Sequence, residues 1–437
     1  MGVRVTAPAE TARQAPARSG SRSLRPRIVI LGAGFGGLSA ARALAGAPVD
    51  VLMLDRNNYH GFWPLLYQVG TAGLEKESIA YPVRAILRRY PNVAFRMCSP
   101  TGVDFERREV LTDGAPAAYD YLILALGSTN NYFGNDALAE HTYGLKDIND
   151  AERLRNRILS AFEQALTTPD PAAQRALLTF VIVGGGPTGV ELAGALSELI
   201  HQVLRKDYPM LDMRQARVVV VEATGHILSS FAEPLQKSAL KRLRALHVSV
   251  KLNTAVAEVG EGYVAFKDGK RLAAGTVVWA AGVRGAHLLD GLGIPLARGA
   301  RLPVQPTLNL AAHPEVYAIG DLAYLEGYKG DAPYPQLAPV AMQQGKQAAE
   351  NILAAVRGRA PRPFHYFDKG SMATIGRRAA VFDAFGIRLT GVIAWFGWLF
   401  VHLLFLVGFR NRLIVLANWA YNYFTYDRGV RLISGGE

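Results

Sequence analysis

Two short glycine-rich stretches hold the residues of this chain best suited to chemistry, and that chemistry is nucleotide binding. The first is Gly32-Ala33-Gly34-Phe35-Gly36-Gly37 and the second is Gly184-Gly185-Gly186-Pro187-Thr188-Gly189. Both spell G-x-G-x-x-G. The first glycine permits a tight turn, the second lets main chain approach a pyrophosphate, and the third lets helix pack on strand. The phosphates then rest on amides at a helix N-terminus, where the dipole favours negative charge. Each loop is followed by an acid: Asp55 comes 23 positions after Gly32, and Glu222 comes 38 after Gly184. An acid there accepts from a ribose hydroxyl and repels a 2′-phosphate, so the second nucleotide is expected to be NAD rather than NADP. The blander reading is a charged residue at a strand end. One such loop is weak evidence, but two imply two dinucleotides on one polypeptide.

The elements that must position these loops are legible around them. Apolar runs at 27–31 and 179–183 read as strands, and small-residue runs at 38–44 and 190–199 as the helices that follow. Runs at 49–54 and 218–221 read as the next strands, ending at the two acids. The wider second gap implies a long helix and loop, broken near Pro209. Three more strands end at glycine: 119–127 at Gly127, 276–282 at Gly282, and 315–321 at Gly320 with Asp321 beside it.

A chain of 437 residues, half of them apolar, suggests two or three domains with buried parallel sheets. The net charge of +12 fits nucleic acid or a membrane surface. No RNA-binding aromatic motif or finger spacing is present, so nucleic acid is set aside. A lone Cys98 excludes a disulfide framework, an iron–sulfur cluster and a paired-thiol centre. The histidines are scattered without ligand spacing, so no metal is expected. Residues 1–26 are arginine-rich without an apolar core; a disordered basic tail and a transit peptide both fit.

Residues 364–437 differ in character. Val392 to Phe409 carries no charge and one histidine, His402, before Arg410-Asn411-Arg412, and the apolar pattern resumes to Phe424. Eighteen residues stand at the lower limit for a membrane-spanning helix. A helix lying in the interface suits the glycines, the flanking arginines and the Trp and Tyr content better, and soluble burial is the third reading. The many Lys and Arg side chains of this segment would meet an anionic lipid surface.

With Gly320-Asp321 following the two loops, the chain resembles the two-dinucleotide flavoprotein reductases. The resemblance implies an α/β fold with two Rossmann-like domains, an NAD domain (146–289) inserted in an FAD domain (27–145 and 290–360), and C-terminal amphipathic membrane-anchoring helices in 364–437. FAD would take Gly32, Gly34, Phe35, Gly36, Gly37, Asp55, Arg56, Gly127, Gly320 and Asp321, the last at the ribityl-phosphate end. NAD would take Gly184, Gly186, Thr188, Gly189, Glu222 and Gly282. Disulfide reductases need a C-x-x-x-x-C pair, sulfide:quinone oxidoreductases need cysteines near the flavin, and NADH peroxidases need one soon after Asp55. Cys98 meets none of these demands.

The chain is most similar to the type II NADH dehydrogenases, single-subunit NADH:quinone oxidoreductases that do not pump protons. The resemblance rests on Asp55-Arg56-Asn57-Asn58-Tyr59-His60, Pro64 to Val69, Gly184 to Glu191, Ala338 to Gly345, Asp368 to Arg377, Gly408 to Arg412, Asn418-Trp419 and Thr425 to Gly429. It implies hydride transfer from NADH to flavin N5, then two electrons to a membrane quinone, ubiquinone or menaquinone. Glu191 would handle protons, Gln343 would face the quinone, and Lys369 would stabilise developing negative charge. Pro339 stands where the family's quinone element carries a glutamine, and Gly61 stands where a larger residue is common. The resemblance further implies a homodimer held peripherally on the cytoplasmic face of an inner membrane, with the mitochondrial inner membrane as the alternative. Two rivals stay open: a soluble ferredoxin or rubredoxin reductase, which leaves 392–424 unexplained, and a flavoprotein that senses NADH without turnover.

Overall fold

The computed structural model describes residues 25–425 and 427–434, so the expected basic tail lies almost wholly outside the described residues. Two parallel sheets carry the two loops. In the first, strands run in the order Val316–Ala318, Tyr121–Leu124, Arg27–Leu31, Asp50–Asp55 and Val93–Met97. In the second, the order is Val248–Lys251, Arg217–Val221, Thr179–Val183 and Thr276–Trp279. Nearly every residue of the two loop-bearing strands is buried on both faces, as their unbroken apolar runs require.

The edge strand Val316–Ala318 pairs in parallel with Tyr121–Leu124, although the whole second sheet lies between them in sequence. The second unit is therefore inserted into the first. Each unit also carries a three-stranded antiparallel meander, at 100–118 and at 256–273. Helix Ala338–Val356 crosses the first loop's helix, Phe35–Leu44, and their small residues let the backbones approach: a side chain at Gly36 would meet Ile319 and the Ala341 carbonyl.

The third unit is an antiparallel sheet, Ser371–Thr374, Ala380–Ala384 and Ile387–Thr390, followed by helices Gly391–Phe405 and Phe409–Thr425. This corrects the apolar run of 18: it is not one helix. Gly408 takes a left-handed φ of +91° and breaks it, and the Arg412 side chain donates to the Leu404 and Leu406 carbonyls at 2.8 Å each, closing the first helix's end. Arg412 is thus engaged within the fold rather than free for lipid. Arg410-Asn411-Arg412 does not stop the pattern either, because the second helix runs straight through it. Asn411 is buried and donates to the carbonyls of Glu77 and Ala80. A helix of 15 residues is about 22 Å long, short of the roughly 30 Å of a bilayer core. Among the described residues no helix is long and apolar enough to cross a membrane.

Candidate functional site

The two loops are built alike down to single hydrogen bonds. Gly32 and Gly184 turn at φ +105° and +112°, and their amides donate to the Leu54 and Val221 carbonyls at 2.8 Å. Asp55 accepts from the Ala33 amide at 2.7 Å and from the Asn57 amide at 2.7 Å. Glu222 accepts from the Gly185 amide at 2.7 Å and from the Thr224 amide at 2.8 Å. Each acid therefore ties its strand end to its glycine loop and retains lone pairs for a ribose hydroxyl.

The middle glycines test the fit to nucleotides. A β-carbon added at Gly34 or Gly186 meets no protein atom, and both residues have extended backbones that any residue adopts. Their bareness is not demanded by the fold, and it leaves space above a helix N-terminus that suits a pyrophosphate. By contrast, a side chain at Gly37 or Gly189 would collide with the Gly32 or Gly184 carbonyl, so those two serve packing. The residues present fit dinucleotides at both loops.

At the first unit's far strand end, Asp321 accepts from the Ser128 hydroxyl at 2.6 Å, and its carbonyl accepts from the Gln336 side chain. Gly320 donates its amide to buried Gln344 at 2.7 Å. Lys146 is half-buried nearby; loss of solvent pushes its ammonium down, and Asp321 and Asp150 pull it back. Gln344, Ser128 and Lys146 were missed in the sequence. The small residues Ala341, Gly345 and Ala348 mark the buried face of their helix, and Gln344 lies in that stripe, which is the signal that could have found it.

Glu191 sits in helix Pro187–Glu198, beyond its first turn. It is buried, and burial pushes its carboxyl up to about 8, opposed by the Thr374 amide, which donates to it at 3.2 Å, and by the Trp398 indole. The indole nitrogen stops short of hydrogen-bond geometry and has no hydrogen-bond partner among the described residues. Trp398 stacks on His402 at 3.9 Å and lies edge-on to Tyr67. The Tyr67 hydroxyl accepts from the Gln68 amide, which is fixed in turn by the Trp419 indole at 2.8 Å. The two C-terminal helices thus roof the carboxyl with aromatic rings. Burial also lowers His60 and His402 to about 4, so both are neutral at physiological pH.

The other expected residues stand further apart. Gln343 spends both ends of its amide on the Phe367 main chain, at 3.0 and 2.9 Å. Lys369 is exposed, with its ammonium 5.8 Å from the Phe405 ring. Phe405 in turn lines a narrow cleft with Met342, His60 and Phe35, so Lys369 and the helix of Gln343 flank an apolar way toward the first loop. Arg56 pairs with Asp147 at 3.3 Å. Thr188 is exposed at the open second loop. Gly127 and Gly282 take positive φ at equivalent strand ends. Among the described residues no group of His, Cys, Asp and Glu is placed to hold a metal.

Comparison with known proteins agrees with this geometry. The family described as "Pyridine nucleotide-disulphide oxidoreductase" matches residues 26–345, and "NDH2 C-terminal domain" matches residues 368–426. A type II NADH:quinone oxidoreductase, Ndh of Mycobacterium tuberculosis, is 39% identical, covering 93% of this chain and 89% of that one. A second from the same organism, NdhA, is 38% identical, covering 94% of this chain and 90% of its own. A solved NDH2 from Plasmodium falciparum in complex with NADH shares the fold at a TM-score of 0.85 and 20% identity, covering 94% of this chain and 100% of the other.

Proposed function

The chain belongs to the type II NADH:quinone oxidoreductase family, and we propose that it oxidises NADH and reduces a membrane quinone through FAD, without pumping protons. The observation that carries this reading is the pair of bared glycine loops together with a buried carboxyl under an aromatic roof on the helix that follows the second loop. The chemistry FAD supplies when bound is acceptance of hydride from NADH and return of two electrons to the quinone. Gly34 and Asp55 would hold its pyrophosphate and adenosine ribose, while Ser128 and Gln344 fix Asp321 and Gly320 at the other end, with the Lys146 charge nearby. Gly186 and Glu222 receive NADH on the open side. Reducing a quinone with NADH takes up one proton from solution. Glu191, neutral at pH 7, holds a proton within the protein and is the group to deliver it. Lys369 and Gln343 stand on the quinone side, where Pro339 leaves apolar contacts to do more of the binding.

The exposed faces of the last two helices form the membrane surface in this reading. Ile393, Phe396, Phe400 and Leu404 recur at helical spacing, as do Phe409, Leu413 and Leu416, and all are exposed. Each such side chain contributes about 1.5–3 kcal/mol when buried, enough together to hold the enzyme on a lipid surface. Anionic lipid and a second copy of the chain are the partners, and the cytoplasmic face of an inner membrane is the site. The domain limits 27–145, 146–289, 290–360 and 364–437 follow from the same reading.

Washing membranes with high salt and then detergent, with NADH:quinone activity assayed in each fraction, tests the proposal. Activity should resist salt and appear in detergent. Activity in the first soluble fraction with ferredoxin but not quinone would replace it with the soluble reductase reading.

A further inference from the structure

Glu198 stands seven residues beyond Glu191 on the same helix, on the same face two turns on. A single segment touches both: the Thr374 amide donates to Glu191, and the Arg377 amide donates to Glu198. Around Glu198 opens a cavity of about 430 Å³ whose wall includes Gln202, Arg242, Arg377, Arg378 and Arg428. None of the nucleotide glycines or acids lies on it.

The wall is organised. Arg242 donates to the Arg377 carbonyl at 2.7 Å. Arg377 donates to the carbonyls of Tyr423 and Asn422, at the end of the last helix. Arg428, half-buried, donates to the Thr71 carbonyl at 2.6 Å and forms an ion pair with Glu198 at 3.9 Å. Arg378 lies over the Tyr423 ring at 4.9 Å. Carbonyl oxygens fix Arg242 and Arg428 in place without cancelling their charge. Glu198 is the one carboxylate among the described lining residues and already pairs with Arg428, so Arg242 and Arg378 face the cavity without an anion among those residues.

Two local irregularities shape this wall. Arg378 holds a left-handed φ of +60°, a conformation that costs a residue with a β-carbon on the order of 1–3 kcal/mol. Helix Pro187–Glu198 loosens into a π-helical stretch, Leu199–Leu204, which contributes Gln202 and Val203 to the wall. Converging charges that are partly buried and under-compensated are costly unless an anion joins them.

We infer that this cavity binds a phosphate group. Forked guanidiniums match tetrahedral phosphate oxygens in geometry as well as charge, and the volume leaves room for a glycerol- or sugar-sized substituent. The two available sources are a free phosphate compound and the headgroup of an anionic lipid, since the last helix that supplies Tyr423 also presents exposed Tyr421 and Phe424.

The test uses the full-length holoenzyme with NAD saturating, so that the nucleotide loops are occupied. Thermal midpoints are measured against inorganic phosphate at constant ionic strength, and retention is measured on phosphatidylcholine vesicles with and without phosphatidylglycerol. The variants are R378Q, R378K and, as a charge-matched control at an exposed distant site, R357Q. Among the described residues the Arg378 side chain donates to no main-chain group, so R378Q should fold; R242Q is a second probe, read by its ligand-dependent shift rather than its basal midpoint. The inference expects saturable stabilisation by phosphate, or phosphatidylglycerol-dependent retention, weakened about tenfold in R378Q, largely restored in R378K and unchanged in R357Q. A phosphate effect identifies a soluble occupant, and a vesicle effect alone identifies lipid. R378Q and R242Q indistinguishable from R357Q in both assays would overturn the inference.

Discussion

The two glycine loops share a hydrogen-bond pattern and differ in what covers them. At the first, Phe35–Leu44 starts beneath helix Ala338–Val356, and Gly36 and Gly37 are buried. Burial raises the carboxyl of Asp55, against the pull of the Ala33 and Asn57 amides. At the second, Pro187 and Thr188 are exposed. On the proposed function, the covered loop is expected to retain its nucleotide as a resident cofactor and the open one to exchange its nucleotide at each turnover.

The largest effect should come from filling the first cradle. A β-carbon at Gly34 meets no protein atom, so the fold should survive Gly34→Val while FAD is lost completely; the purified variant should be colourless with a near-native circular dichroism spectrum. Gly186→Val should do the opposite, keeping the yellow colour and raising the KM for NADH about a hundredfold. If both variants lost FAD, the division of labour between the loops would be wrong.

Glu191 stands where the two halves meet. Its carboxyl is neutral below about 8 and charged above it, so quinone-limited kcat should fall as pH rises past that point. Glu191→Gln should lower kcat by tens of fold and flatten that limb. Stability gives an independent check. A folded value near 8 against an ordinary 4.5 means the fold holds the proton more tightly, so stability declines as pH rises between those values, and the Gln variant should lose that slope in denaturant titrations.

Glu222→Gln should sharpen the comparison at the open loop by rescuing NADPH, narrowing a preference of about a hundredfold to about tenfold. The smallest effect is expected at Gln343→Leu. Its amide ties helix Ala338–Val356 to Phe367, so loosening that link should slow flavin reoxidation by quinone a few-fold and leave reduction by NADH unchanged. Stopped-flow traces of the separate half-reactions decide it.

The sequence disclosed the loops well because their constraints are local. A left-handed turn at Gly32 and a packed contact at Gly37 each need a residue type at a fixed spacing, and an acid must end the next strand. The insertion of one unit in the other was also legible, through the late Gly320-Asp321. Less legible were the groups that depend on distant chain. Lys146 and Ser128 come near Asp321 only through tertiary packing and no spacing announces them, while Gln344 is marked only by the small-residue stripe of its helix. The apolar run 392–409 misled because composition does not show a break: Gly408 and the Arg412 cap turn one long stretch into two helices that roof Glu191 while exposing a second apolar face.

The most direct test of the account is anaerobic stopped-flow on dialysed, detergent-purified enzyme, following bound flavin absorbance through both half-reactions. The account predicts that FAD survives dialysis, is bleached by NADH within the turnover time, and is restored by a quinone analogue at a rate matching kcat. Flavin that leaves on dialysis, or that NADH reduces and quinone fails to reoxidise, would contradict it.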